Sequence, residues 1–156
     1  MDSPLDPFSG PFWTTVGVAV LCGTIVGLER QLRGKPAGVR TSTLICLGTA
    51  VFVHLGALVG GGGTDPTRVL GQIVTGIGFL GAGVIMKGRE AVYGVTTAAV
   101  IWVLASIGAA IGFGYYKGAV FLSIVTVVVL TGIEFLESRV RGLTRGVYER
   151  REERRK

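Results

Sequence analysis

The chain has 156 residues, of which 49% are hydrophobic and 17% are charged, and it contains 26 glycines. A soluble domain usually carries about 25% charged residues, so this composition, with a mean hydropathy of +0.57, argues against one. Disordered chains are poor in apolar residues, and the glycines keep no three-residue period, which excludes disorder and a collagen-like structure. The net charge of +6 is explained below by where the basic residues lie.

Five nearly uncharged apolar runs follow one another along the chain, and each is close to the ~20 residues that a membrane-spanning helix needs. We predict helices, because open sheet edges cannot lie in lipid. Asp65 and Pro66 are typical of an N-cap and a first helical residue at the start of the third helix. The predicted spans cover residues 12–28, 41–59, 69–86, 92–113 and 119–136.

The basic residues are divided unequally between the two sets of loops. Four follow the first run, two follow the third and eight lie between Arg139 and Lys156, whereas the other loops hold only Arg68 and Lys117. The positive-inside rule then places the N-terminus outside and the C-terminus in the cytoplasm. The positive charge therefore needs no nucleic-acid partner, and no nucleic-acid-binding motif accompanies it.

These observations predict an all-α integral membrane protein with five transmembrane helices. The predicted parts are an external N-terminal segment, a five-helix membrane domain and a charged cytoplasmic tail that lies along anionic lipid or extends into the cytoplasm. Their boundaries are residues 1–11, 12–136 and 137–156.

The third run is rich in glycine. It contains a formal GxGxxG match from Gly76 to Gly81, but the preceding strand that a dinucleotide site needs is missing, so we predict no phosphate site. On a helical wheel Gly71 and Gly78 share one face, and Gly76 and Gly83 share another. Smooth faces let membrane helices approach closely, so we expect this helix to be central. The predicted packing residues are Gly71, Gly76, Gly78, Gly81 and Gly83.

Two further small-residue pairs occur in the first and fourth runs. They are Gly23 with Gly27 and Gly108 with Gly112. Such pairs serve packing within one chain or a seam between copies, and the sequence does not decide between these uses. We therefore expect a homodimer or higher homo-oligomer as one of two alternatives.

Polar residues at the ends of the runs form two groups of candidate binding or regulatory residues, because ionisable groups in membranes are costly. At the predicted cytoplasmic depth, the alternatives are a binding site or simple anchoring, with Glu29 paired to Arg30 or Arg40. On the outer side, Asp65 and Arg68 have the spacing of an ion pair, and we predict a hydrogen-bonded packing role for His54. The inner group is Glu29, Arg30, Arg40, Thr41, Thr96, Thr97 and Glu134, and the outer group is Asp65, Arg68 and Gln72.

The residue types do not favour catalysis. No nucleophile–base pair and no metal-ligand cluster can be recognised in the sequence, so we predict neither an enzyme nor a cofactor. Mg²⁺ prefers oxygen ligands, with one or two carboxylates and retained waters. The carboxylates of Glu29, Glu134 and Asp65 are divided between the two predicted membrane faces. Mg²⁺ binding therefore stays possible, but the sequence provides no clear set of ligands for it.

Five sequence blocks, in order between about residues 16 and 135, resemble the MgtC/SapB family of membrane proteins. The blocks are Gly27–Gln31 (GLERQ), Ala37–Thr41 (AGVRT), Asp65–Gln72 (DPTRVLGQ), Thr75–Met86 (TGIGFLGAGVIM) and Gly94–Ala99 (GVTTAA). The resemblance implies a protein of the bacterial plasma membrane that is connected with adaptation to low Mg²⁺ and, in pathogens, with intracellular survival and virulence. It also implies a regulator of partner membrane complexes such as the F-type ATP synthase. The alternatives are a cation transporter or channel formed by an oligomer and, more weakly, a sensor of a small ligand.

The chain departs from the best-known members of that family in two ways. Those members carry a soluble ACT-like domain after the fifth helix, whereas this sequence has a short charged tail, so functions of that domain are not carried over. They also have Asn at the position of Thr96 and Cys at that of Val103. An inhibitory role linked to those two residues is therefore not expected here.

Overall fold

The computed structural model describes residues 6–60, 65–87 and 92–139, so parts of the predicted external segment and most of the predicted tail lie outside the described residues. Five long helices and one short hairpin make up this part of the chain. The elements are α1 (Gly10–Leu32), α2 (Val39–Gly60), α3 (Pro66–Gly83), β1 (Met86–Lys87), β2 (Val92–Tyr93), α4 (Val95–Gly112) and α5 (Tyr116–Arg139).

Local chemistry sets several helix boundaries. The Ser9 hydroxyl accepts a hydrogen bond from the backbone N–H of Phe12 at the start of α1, and the Asp65 carboxylate caps α3 in the same way. The predicted N-cap at Asp65 is thereby confirmed. The fourth predicted helix begins too early, because Val92–Tyr93 pairs with β1 as an antiparallel strand. Gly94 then turns the chain into α4 with φ of +89°, a left-handed conformation that favours glycine.

Four of the described helices, α1, α2, α4 and α5, are long and apolar enough to cross a membrane. The third predicted span is not among them. Arg68 and Gln72 lie in its first two turns, and glycines replace larger apolar residues along the rest of it. The all-helical membrane architecture is confirmed at this level, and the orientation stays a prediction.

The helix at the centre of the bundle is α4, not α3. In α4, 56% of the residues are buried. In the most apolar segments of α1 and α2 the buried share is 33%, and in that segment of α5 it is 11%. Ile101, Leu104 and Ile107 of α4 are among the largest fully buried side chains. Among the α3 residues whose side chains are described, only Gly81 is buried. The prediction of a central glycine-rich third helix is therefore wrong, because smooth faces permit close packing but do not by themselves bury a helix.

The glycines of α1 and α4 provide the closest helix contacts. A Cβ on Gly27 would lie 2.6 Å from the Val39 Cα, and one on Gly108 would lie 2.6 Å from the Cys46 carbonyl oxygen. Real Cβ atoms do not approach backbone so closely, so α2 packs directly against the backbone of both neighbours. These small-residue pairs are used within one chain, which answers the question that the sequence left open for them.

The glycines of α3 have different surroundings. A Cβ on Gly81 would make ordinary contact with Ala98 of α4, 3.7 Å away. At the other four predicted packing positions a Cβ would meet nothing within 4 Å. Those positions are Gly71, Gly76, Gly78 and Gly83. Packing of these four against another copy stays a prediction, and packing within the described chain is not observed.

Candidate functional site

Charged side chains meet at the end of the bundle where α1 and α5 finish. The Glu29 carboxylate accepts hydrogen bonds from Arg30 Nε at 2.5 Å and from the second guanidinium nitrogen of Arg30 at 2.7 Å. Arg33 lies one turn further along α1, donates to Glu29 over 2.8 Å and also pairs with Glu134 of α5. We call these four residues the ionic cluster. Their two positive and two negative charges balance.

Within the ionic cluster the pair of Glu29 and Arg30 is buried, whereas the side chains of Arg33 and Glu134 are 30% and 56% exposed. Glu29 is 8% exposed and Arg30 is 3% exposed. A buried charge is tolerated only where it is paired and hydrogen-bonded, and both conditions are met here. Of the two pairings considered for Glu29, the one with Arg30 is confirmed. The Glu29 carboxylate therefore has two arginine partners, and it ties α1 to α5 through Arg33.

The other predicted inner residues are separate from the ionic cluster. Arg40 and Thr41 are exposed at the start of α2, and Thr96 is exposed at the start of α4, whereas Thr97 is buried beside it. Within the described residues, no recorded hydrogen bond or ion pair joins these four to the ionic cluster. We call Arg40, Thr41 and Thr96 the exposed rim. The predicted single polar group thus divides into an ion-paired cluster, whose core is the buried pair of Glu29 and Arg30, and an exposed rim.

Sequence reasoning placed Glu134 in the inner group but missed one member of the ionic cluster, Arg33. Arg33 follows Glu29 by four residues, the spacing at which opposite charges pair on a helix, so a signal for it existed. Glu134 is contributed by a helix distant in sequence, and only the packing of α1 alongside α5 brings it to Arg33.

At the opposite end of the bundle, Asp65 and Arg68 lie at the start of α3. The Asp65 carboxylate accepts hydrogen bonds from the Thr67 hydroxyl at 2.7 Å and the Thr67 backbone N–H at 2.9 Å. These bonds, and more weakly the charge of Arg68, lower the pKa of Asp65 below its usual value. Asp65 is therefore ionised at neutral pH. In the described structure Asp65 and Arg68 form no ion pair within 4 Å, so the predicted pairing is a weak attraction.

A second polar group links three helices near the same end. Thr15 of α1 has its hydroxyl 3.4 Å from His54 Nε2 of α2 and 3.1 Å from the Tyr116 hydroxyl of α5. Thr15 and His54 are both buried. The predicted hydrogen-bonded packing role of His54 is confirmed. Over the residues that the structure describes, no group of three or more His, Cys, Asp or Glu side chains is placed to hold a metal ion.

Comparison with known proteins identifies the family to which this chain belongs. The profile of the MgtC family matches residues 16–139, which include most of every helix described above. This chain belongs to the MgtC family. The five-block resemblance in the sequence is thereby confirmed. No solved structure matches the chain.

Curated relatives in the MgtC family share more than two fifths of their aligned residues with this chain. The "Putative magnesium transporter YhiD" of Escherichia coli (strain K12) is 44% identical over 119 residues, which cover 72% of this chain and 55% of the relative. "Protein MgtC" of Brucella abortus (strain 2308) is 42% identical over 135 residues, covering 84% and 56%. "Protein MgtC" of Salmonella typhimurium (strain 14028s) is 43% identical over 115 residues, covering 74% and 49%. The chain thus spans about half the length of these relatives.

Proposed function

We propose that this member of the MgtC family is a non-enzymatic protein of the bacterial plasma membrane. It supports adaptation to low magnesium and, where the bacterium is a pathogen, virulence. In this proposal it regulates partner membrane complexes, of which the F-type ATP synthase is one. The observation that carries the proposal is the neutralisation of Glu29 and Glu134 by Arg30 and Arg33. A Mg²⁺ path needs carboxylates that can bind the hydrated ion, and arginine partners oppose that use.

The exposed rim is the surface that we assign to the partner complex. Arg40 offers five N–H donors that suit a carboxylate on another protein, Thr41 follows it in α2, and Thr96 adds a hydroxyl group at the start of α4. All three are exposed, so a partner reaches them without opening the bundle. The ionic cluster then keeps the ends of α1 and α5 in place and takes no direct part in the contact.

Co-purification tests this assignment with a matched pair of variants. Arg40 and Lys117 are each the second residue of a helix, are both exposed, and lie at opposite ends of the bundle. The full chain, extracted in a mild detergent, is expected to bring down F-type ATP synthase subunits. Arg40→Gln should lower their yield severalfold, whereas Lys117→Gln should leave it unchanged.

ATP-driven proton pumping in inverted membrane vesicles gives the functional readout. The wild-type chain and Lys117→Gln should alter pumping to the same extent, and Arg40→Gln should restore the rate seen without the chain. Equal behaviour of the two variants in both assays would remove the exposed rim from the proposal. The regulatory hypothesis itself would be rejected if the wild-type chain neither brought down F-type ATP synthase subunits nor changed the rate of proton pumping.

We further propose that the chain forms a homodimer through the open face of α3. Gly71 and Gly78 lie on one side of this helix, and both leave space for another backbone. Leucine at Gly78 should block such a contact, whereas leucine at Gly132, an exposed and equally open glycine of α5, should not. Cross-linking in membranes should therefore give dimers for the wild type and Gly132→Leu but not for Gly78→Leu. Identical cross-linking of all three would contradict this seam.

The second candidate function is magnesium transport by an oligomer, and two observations favour it. One relative bears the name "Putative magnesium transporter YhiD". Asp65 is exposed and ionised, and in the described structure it forms no ion pair within 4 Å. Several copies of this carboxylate could meet in an oligomer, which a single chain cannot achieve.

Liposome flux separates transport from regulation. Asp65→Asn removes the charge but keeps a good N-cap, so α3 should still form. Magnesium entry above that of empty liposomes, lost in Asp65→Asn, would favour the transporter over the regulator. Absence of flux from protein that retains its helical content would count against transport. Glu29→Gln is unsuitable for this assay, since it leaves Arg30 buried without its partner.

A further inference from the structure

An apolar groove of about 640 Å³ separates α3 from α2. The two helices touch where Gly56 of α2 meets Val69 of α3, and beyond that contact they diverge. Gly76 lies on the groove, and a Cβ at this position would meet nothing within 4 Å. The polar groups of the lining are Thr49 and Gln72, and its apolar members include Leu55, Val59, Ile73 and Leu80.

The length and the lining of the groove fit a lipid acyl chain. Its α3 side runs from Val69 to Leu80, a rise of about 16 Å, which is close to half of the ~30 Å hydrocarbon core and so to the depth of one leaflet. Apart from Thr49 and Gln72 the lining is apolar over this length, as a hydrocarbon chain requires.

The charges beside the groove favour one class of headgroup. Asp65 and Arg68 are exposed at the start of α3, about two turns and one turn ahead of Gln72, respectively. They form no ion pair with each other within 4 Å in the described structure, so each keeps a charge for an external group. Arginine binds phosphate through charge-assisted hydrogen bonds, and a carboxylate attracts an ammonium. The pair complements a headgroup that carries a phosphate and an amine.

We infer that the groove between α2 and α3 binds one acyl chain of a phosphatidylethanolamine-type phospholipid, with its phosphate at Arg68 and its amine at Asp65. Gln72 lies one turn deeper and has amide N–H groups for the ester carbonyl oxygens, which gives this amide a partner in lipid. This site is independent of the regulatory proposal, because it uses neither the ionic cluster nor the exposed rim, and it competes with the transport proposal for the Asp65 carboxylate.

Native mass spectrometry of the full chain, freed of lipid in detergent, tests the groove. Gly76→Leu places a side chain in the open space, and Gly17→Leu is the control, since Gly17 of α1 is exposed and equally open but lies away from the groove. When phosphatidylethanolamine is added back, the wild type and Gly17→Leu should each bind one molecule of it. Gly76→Leu should bind it about tenfold more weakly, the ratio that corresponds to loss of one good contact.

Headgroup variants test the two charges. Arg68→Gln should weaken binding of phosphatidylethanolamine and phosphatidylglycerol alike, by about tenfold. Asp65→Asn, which keeps the helix cap, should abolish the preference of the wild type for phosphatidylethanolamine over phosphatidylglycerol. Equal binding of both lipids by the wild type would overturn the assignment of the amine to Asp65.

The groove itself can be refuted separately. Unchanged phosphatidylethanolamine binding by folded Gly76→Leu would overturn it. If that variant loses its helical content, photo-cross-linking of the wild type replaces it, using phosphatidylethanolamine with a photoreactive group along one acyl chain. Labels on α3 between Val69 and Leu80 support the site, and labels spread evenly over α1 and α5 contradict it.

Discussion

Glycine serves two different purposes in this molecule, and the contrast between α4 and α3 makes them visible. Gly108 and Gly112 of α4 lie against the backbone and side chains of α2, so close that a Cβ would collide. Gly76 and Gly78 of α3 face open space. The first pair closes a helix interface, and the second leaves a surface free for lipid or another chain. Glycine spacing alone therefore predicts that a helix can pack closely, not that it does.

The neighbours of each glycine explain the difference. On α4, the residues around Gly108 include Leu104 and Ile107, which are fully buried and fill the space between helices. On α3, Val74 and Phe79 remain 50% and 82% exposed. Dispersion contacts drive helix association in lipid, because lipid tails are as apolar as leucine. A smooth face gains such contacts only when bulky residues beside it meet a partner.

The largest expected effect lies in the closed part of the bundle, at the ionic cluster. Glu29→Gln leaves the buried Arg30 without its carboxylate, and the loss of one partner of a buried pair costs about 3–5 kcal/mol. Glu134→Gln is the control, because Glu134 has a side chain that is 56% exposed, and an exposed pair contributes about 0–1 kcal/mol. The free energy of unfolding, measured by SDS titration in mixed micelles, distinguishes the two variants. Equal losses would show that the burial of Glu29 has little energetic weight.

A second prediction compares the two kinds of glycine directly. Gly108→Ala forces a Cβ to within 2.6 Å of the Cys46 carbonyl oxygen, and overpacking of this kind costs about 1–3 kcal/mol. Within a single chain Gly78→Ala meets no neighbour, so in the monomeric protein it should stabilise α3 by about 0.5–1 kcal/mol, because alanine favours the helix over glycine. The same SDS titration should give changes of opposite sign. Two losses of similar size would mean that α3 packs as closely as α4 in the membrane.

Local features of this fold could be predicted from sequence, because their partners are adjacent. The run lengths predict all five helices, and the cap at Asp65 and the pair of Glu29 with Arg30 depend on residues within one turn. Features that depend on packing could not be predicted in the same way. The contact of Arg33 with Glu134 needs α1 and α5 to lie side by side. The central place of α4 needs a comparison of burial that hydropathy does not contain.

The short hairpin shows a further limit of hydropathy. Val92 and Tyr93 continue an apolar run, so the pattern joins them to the fourth helix. In the structure they pair with Lys87 and Met86 instead. Gly94, with its positive φ, separates strand from helix. A glycine that ends an apolar pair just after a charged segment is thus a better boundary signal here than the hydropathy itself.

The smallest expected change in the free energy of unfolding concerns two hydroxyl groups at the interface between α1 and α2. Thr43 Oγ1 is buried and has no hydrogen-bond partner within the described residues, whereas the neighbouring Ser42 hydroxyl donates to the Ala37 carbonyl oxygen over 3.1 Å. Thr43→Val keeps the shape and removes an unsatisfied donor, so the free energy of unfolding should stay the same or rise by up to about 1 kcal/mol. Ser42→Ala removes a bond and should lower it by about 1 kcal/mol.

The sign of the Thr43 result carries the argument. A clear loss in Thr43→Val would mean that its hydroxyl has a partner when the chain lies in lipid, and the α1–α2 contact beside Gly23 would then be looser or wetter than described. No change, together with a loss in Ser42→Ala, would show that α2 packs on α1 without a polar link at Thr43. That outcome would mean that α1 and α2 are held together by the direct backbone contact at Gly23 and Gly27. The open glycines of α3 make no such contact.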